Sequence, residues 1–218
     1  RSGYLDGVVV ASASLDDPLI SRLLQDGLHF VCVGSYPDRN VSYVDVDNVT
    51  GARMAVEHLL RRGRRRIAAV TGPLLAAGGG DRLAGYRQAL EARGLPYDEA
   101  LVAEADFSED GGRMAMHKLL ASAPDAVFAA SDMMAIGAMK ALKEADRCIP
   151  DDVAVVGFDD LAVASIVEPA LTTVRQPIDR LGTMAAELLL DLIEGRVEGP
   201  QQVILPVQLV VRESCGSR

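Results

Sequence analysis

Two adjacent carboxylates, Asp159 and Asp160, follow a short unbroken run of apolar and small residues, Val153 to Gly157, in the stretch IPDDVAVVGFDD. A run of that length, bounded by polar residues, reads as a strand covered on both faces. In open α/β sheets small polar molecules are held just beyond the carboxyl ends of such strands. The pair is therefore placed to accept hydrogen bonds from a small polar molecule, each charge-assisted bond contributing about 1.5 to 3 kcal/mol. The competing reading is that Asp160 caps a short helix from Leu161 to Val167. Ser131 and Asp132 repeat the arrangement after the run Ala126 to Ala130, where a cap is expected: one of them caps and the other is free to face a ligand.

Other chemistries lack their residues. His29, His58 and His117 have no metal-ligand spacing, Cys32, Cys148 and Cys215 form no CxxC, and no GxSxG elbow is present. The glycines Gly78 to Gly80 lack the Lys-Ser/Thr ending of a phosphate-binding P-loop. No catalytic residue, metal site or cofactor is assigned. An α/β enzyme using Asp159 or Asp160 as a base remains the alternative from another class, and it requires turnover.

The elements that must position these residues alternate. With 218 residues the chain can bury a full core, and its low aromatic content, 4 %, suits layers of helix and sheet. Apolar runs at Leu5–Val10, Phe30–Val33, Ile67–Thr71, Leu101–Ala105, Ala126–Ala130 and Val153–Phe158 read as strands. Between them the pattern predicts helices: one opened by Asp17 and Pro18 and stopped by Gly27, and one capped by Asn48 with Met54, Ala55, Val56, Leu59 and Leu60 on its apolar face. Others cover Asp81–Arg93, after a glycine-rich loop Gly72–Gly80, then Glu109–Leu120 and Asp132–Ala145. Alternating βαβα order implies parallel, doubly wound sheets. A helix from Pro177 to Ile193 and two short extended pieces, Val203–Leu205 and Gln208–Val211, finish the chain.

Charge and cysteine usage narrow the partners. A net charge of −9 leaves this chain without the basic surface of a nucleic-acid-binding domain, so any DNA contact comes from elsewhere. The basic run Arg61–Arg66 reads as a solvated helix end. Three scattered cysteines point to a reducing compartment, with cytoplasm the expectation. There is no run of about 18 apolar residues to span a membrane. The chain starts at Arg1 without an initiator Met, which reads as a fragment.

Motifs along the whole chain resemble the LacI/GalR family of bacterial transcription regulators in its effector-binding core. They are DGVVV, AVEHLLRRG, RIAAVTGP, DRLAGYRQAL, DFSEDGG, SDMMAIGAMKAL, IPDDVAVVGFDD, PALTTVRQPIDRLG and LPVQLVVRES, in that order. The resemblance implies two Rossmann-like, doubly wound parallel-sheet subdomains joined by three crossing strands, Tyr43–Asp47, Thr172–Gln176 and Val203–Val207. Residues 1–45 with 175–202 would form the N-terminal subdomain and 46–174 with 203–218 the C-terminal one. It also implies a small effector, a saccharide by expectation, in the cleft between subdomains, controlling operator DNA binding through an N-terminal helix-turn-helix that this sequence lacks. A homodimer is implied too. A solute-binding protein of a sugar transporter shares the fold and is the alternative.

Carried over residue by residue, the resemblance assigns ligand contact to Arg82 of R-x-x-G-Y, to Phe107 as an aromatic against the effector ring, to Ser131 or Asp132, and to Asp159 of GFDD. Arg82 reads as a first-turn helix residue, an unfavourable place for a cation unless it serves a ligand. Departures from the family are Gly34 and Ser35 where Asp-Arg is common, the glycines Gly78–Gly80 in place of polar side chains, and the lack of the first strand and helix of the N-terminal subdomain, expected to leave the sheet around Val8–Val10 uncovered.

Overall fold

The computed structural model describes residues 5–11, 14–36 and 40–216. In chain order the elements are β1 (Gly7–Ala11), α1 (Pro18–Asp26), β2 (His29–Val33), β3 (Tyr43–Val46), α2 (Asn48–Arg61), β4 (Ile67–Thr71), α3 (Ala77–Glu91) and β5 (Val102–Glu104). There follow α4 (Glu109–Leu119), β6 (Ala126–Ala129), α5 (Asp132–Glu144), β7 (Ala154–Asp159), β8 (Thr172–Arg175), α6 (Ile178–Ile193), β9 (Gln202–Leu205) and β10 (Gln208–Val210). The chain divides into two compact units, Arg1–Asp47 with Leu75–Gly78 and Pro177–Pro206, and Asn48–Leu74 with Gly79–Gln176 and Val207–Arg218.

The first unit holds a four-stranded parallel sheet in the order β1-β2-β3-β9. Alternation along the strands sends Val8, Val10, Phe30 and Cys32 to the face where Ile20 and Leu23 of α1 pack. The other face meets α6, whose Leu189 and Ile193 reach Gly7. Helix α1 starts and stops as its residues dictate: the Asp17 carboxylate accepts from the Leu19 N–H, Pro18 takes the first helical position, and Gly27 closes it at φ 64°. Strand β1 is the sheet edge, with Val9 43 % exposed. Residues 37–39 of the polar loop after β2 lie outside the described residues.

The second unit carries a six-stranded sheet, β10-β8-β7-β6-β4-β5, parallel except for the antiparallel β10. Its inner strands β4, β6 and β7 are buried on both faces. Ala68, Val70, Val127, Ala129 and Val155 pack with Met116, Met134 and Leu142 of α4 and α5. Ile67, Ala69, Phe128, Val156 and Phe158 pack with Val56, Leu59 and Tyr86 of α2 and α3. Strand β5 lies on one side of β4 and β6 on the other, so the winding direction reverses at the β4–β6 pair. The carboxyl ends of the strands at such a reversal are where sheets of this kind hold ligands.

Several sequence expectations are corrected. Gly78–Gly80 are not loop: α3 begins at Ala77, and Gly79 is needed because a Cβ there would lie 2.1 Å from the Pro73 carbonyl oxygen. Arg82 is consequently inside α3, beyond its first turn, and the dipole argument for it falls away. The segment after Asp160 is one 3₁₀ turn, Ala162–Ser165, rather than a helix from Leu161 to Val167. Strand β9 pairs with β3, so the last change of unit falls after Pro206 and not before Val203; Leu75–Gly78 also join the first unit, where Ser14 and Ala76 bridge. The arginines after α2 are not merely solvated. The Arg64 Nη2 donates to the Pro150 carbonyl at 2.6 Å, and the backbone N–H groups of Arg65 and Arg66 bond the Asp125 carboxylate.

The packing sorts α2 finely: Leu59 is wholly buried, while Met54, on its expected apolar face, is only partly so. Leu59→Ala is expected to cost about 2 to 5 kcal/mol and Met54→Ala about 1 kcal/mol or less, read as denaturation midpoints at constant slope. Equal costs would contradict this packing.

Candidate functional site

Arg82 is 8 % exposed, a position that a guanidinium occupies only when its charge and N–H groups are matched. Its Nε donates to the Asn48 Oδ1 at 2.9 Å and its Nη1 to the Ala130 carbonyl at 2.5 Å, at the end of β6. The guanidinium carbon lies 3.8 Å over the Phe158 ring, a cation–π contact. The Nη1 is also 3.6 Å from the Asp159 Oδ1, so α3 and β7 bring the two principal sequence candidates together as an ion pair.

Asp159 is the last residue of β7 and has φ 120°; Asp160 follows at φ 61°. Positive φ at consecutive non-glycine residues is costly, and such outliers concentrate at functional sites. The turn sends the two carboxylates to different partners. Asp160 bonds the Arg175 Nε at 2.5 Å and the Arg212 Nη2 at 2.6 Å, tying β8 to the chain after β10, and it caps nothing. Burial opposes its ionisation, but the bonds from Arg212 and Arg175 outweigh this and hold its carboxyl below the usual range. Burial raises the Asp159 carboxyl above its usual value, opposed by the Arg82 charge, the Gln176 amide at 2.6 Å and the Asp132 backbone N–H.

Ser131 caps α5, its hydroxyl accepting from the Met134 N–H at 3.2 Å. Asp132 has no exposed surface. Its Oδ1 accepts from the Thr173 hydroxyl at 2.5 Å and its Oδ2 from the Leu161 N–H at 2.7 Å. Phe107 precedes α4 at φ 65°, and the far end of its ring lies against Gly72 just after β4, where a Cβ on that glycine would come within 2.0 Å of it. Beside Gly72, Thr71 is 3 % exposed, and among the described residues its hydroxyl is a buried side-chain group without a hydrogen-bond partner. In the first unit, Gly34 and Ser35 follow β2, and the Ser35 N–H donates to the Asp45 carboxylate at 2.8 Å. Among the described residues no cluster of His, Cys, Asp and Glu could hold a metal ion, and no helix is long and apolar enough to cross a membrane.

Sequence reasoning missed Asn48 as a partner of Arg82, and also Gln176, Phe158 and Thr71. Thr71 carried a usable signal, a polar residue ending an apolar strand beside the point where the winding reverses. Asn48 lies 34 positions from Arg82 and carried none. Because the Arg82 charge opposes the upward pull of burial on Asp159, Arg82→Leu is expected to move the Asp159 carboxyl titration to higher pH, followed by carbon-13 NMR. An unchanged midpoint would show that the pair is not coupled.

Comparison with known proteins places this geometry. The periplasmic binding protein-like domain matches residues 56–215. The HTH-type transcriptional regulator CelR of Thermobifida fusca is 46 % identical over 216 residues, 97 % of this chain and 64 % of CelR, so the chain spans under two thirds of that relative. A CelR–cellobiose complex superposes with a TM-score of 0.95 at 45 % identity, covering 98 % of this chain and 67 % of that one. A LacI family transcriptional regulator from Enterococcus faecium with bound ribose gives 0.85 at 31 % identity, covering 96 % and 79 %. With a domain match over most of its length and relatives of this identity, the chain belongs to the LacI/GalR family, as its periplasmic binding protein-like effector-binding core.

Proposed function

We propose that this chain is the sugar-sensing part of a bacterial transcription regulator, and that Arg82 and Asp159 hold the effector, a β-linked glucose oligosaccharide such as cellobiose. The observation that carries the reading is the buried pairing of Arg82 with Asp159 at the carboxyl end of β7. The Asp159 acceptor, with a guanidinium held 3.6 Å away by Asn48 and Ala130, suits adjacent hydroxyls of a pyranose. The similar CelR structure holds cellobiose, which supports the choice of sugar. Phe107 offers an aromatic face for the apolar side of a sugar ring, and the Thr71 hydroxyl offers a further polar contact. Ser131 serves as the cap that sets the β6–α5 corner.

The named relatives are transcriptional regulators, which favours this reading over a transporter's solute-binding protein. Effector occupancy biases the conformational equilibrium of the sensor, and a DNA-binding segment outside this chain reads the bias at operator DNA. A coupling of about 1 to 3 kcal/mol suffices for regulation. The reading entails a cytoplasmic homodimer, since palindromic operators match two-fold symmetric proteins, and it entails no catalysis.

Cellobiose at 100-fold over its Kd is expected to add about 2.7 kcal/mol of stability, roughly 5 to 10 °C in Tm for a chain of this size. Arg82→Ala and Asp159→Ala are expected to abolish the shift while melting cooperatively, and the sugar is expected to be recovered unchanged. A shift retained in both variants would overturn the assignment, and conversion of the sugar would replace the sensor by an enzyme.

A further inference from the structure

Asp132 is placed to control the turn that presents Asp159. It is the first residue of α5, and its backbone N–H donates to the Asp159 carboxylate. Its own carboxylate spans from Leu161, the residue after the Asp159–Asp160 turn, to Thr173 on β8. On the β7 side Gly157 leaves room for it: a Cβ there would sit 2.4 Å from the Asp132 Oδ1. The two positive-φ residues are thus bracketed by contacts to one buried side chain, at Gly157 before them and Leu161 after them.

We propose that Asp132 is a positioning residue for the effector site: ionised, it holds the Leu161 N–H and the Thr173 hydroxyl and so fixes the strained Asp159–Asp160 turn, and protonation relaxes that turn and weakens effector binding. The inference rests on the reading of Asp159 as an effector contact. A carboxylate accepts on both oxygens, whereas a carboxylic acid donates from one of them; the Thr173 hydroxyl can turn round to accept and the Leu161 N–H cannot, so protonation reverses the Thr173 bond and takes the charge assistance from the Leu161 bond. Local strain persists only where its surroundings over-determine it.

Burial, and to a lesser degree the charges nearby, make the ionisation of Asp132 responsive near neutrality. Burial raises its carboxyl to about 7 against the lowering effect of the bonds from Thr173 and Leu161, and the charges of Asp159 and Asp160 add to the rise. Asp159 is itself faced by Arg82 from α3, and Asp160 by Arg175 of β8 and by Arg212. Because the ionised form is the binding form, affinity increases as pH rises through about 7. Linkage requires the converse: bound effector lowers the Asp132 midpoint, and each pH unit of that shift corresponds to about a tenfold gain in affinity.

The test is an NMR titration of the nitrogen-15-labelled chain from about pH 5.5 to 8.5, with and without cellobiose, a range chosen to bracket the raised carboxyl. The amides of Asp159, Asp160 and Leu161 are expected to share one midpoint near 7, to lose it in Asp132→Asn, and to have it moved to higher pH in Thr173→Val, which removes a bond that favours the ionised form. Cellobiose is expected to lower the midpoint in the parent chain, and its Kd is expected to lose its pH dependence in Asp132→Asn. Amides that do not titrate, a titration that survives in Asp132→Asn, or a midpoint unmoved in Thr173→Val would overturn the proposal, as would a pH-independent Kd in the parent. The Thr173→Val arm decides the matter if Asp132→Asn fails to fold. If the amides titrate as expected and cellobiose binds at no pH, the control of the turn by Asp132 stands and the choice of sugar fails.

Discussion

A guanidinium buried among a carbonyl, an amide, an aromatic face and a carboxylate organises the second unit. Arg82 cannot give up its charge, so its burial is tolerable only while Asn48, Ala130, Phe158 and Asp159 all keep their places. Those partners come from α2, from the end of β6 and from the end of β7. One side chain thereby registers three elements against α3, at the carboxyl ends of strands beside the β4–β6 pair where the winding direction reverses.

The neighbouring carboxylates divide their work by geometry. Asp160 is saturated by two arginines and acts as a structural tie between β8 and the tail. Asp159 keeps one ion-pair partner, Arg82 at 3.6 Å, beside the neutral Gln176 amide. Burial raises the cost of its ionisation, and these partners offset that only in part, which is the condition in which further donors from a ligand are most favourable. Identical residues side by side in sequence acquire different roles because the positive-φ turn aims them apart.

Much of this was legible from residue order. The apolar runs from β4 to β7 and the helices between them announce a doubly wound sheet, because strands buried on both faces must be continuous in apolar character. Asp159 was found by its place at a strand end. The position of Arg82 was misjudged because three consecutive glycines read as a loop, whereas close approach to the Pro73 carbonyl makes one of them necessary inside a helix. Asp160 read as either a ligand contact or a cap because local sequence cannot show Arg212, which lies 52 positions away. The burial of Asp132 was hidden for the same reason, since an Asp at a helix start looks alike whether it faces solvent or Thr173 of a distant strand.

Whether the Arg82–Asp159 pair holds a hydroxylated ligand is read most directly from the nitrogen–proton spectrum of the side chains during addition of cellobiose. The Arg82 Nε–H and the Gln176 side-chain amide, whose residues both approach the Asp159 Oδ1, are expected to shift together and saturate at one Kd. Shifts confined to the separate groove of Arg87, Glu91, Leu95 and Tyr97, with Arg82 and Gln176 unmoved, would contradict it.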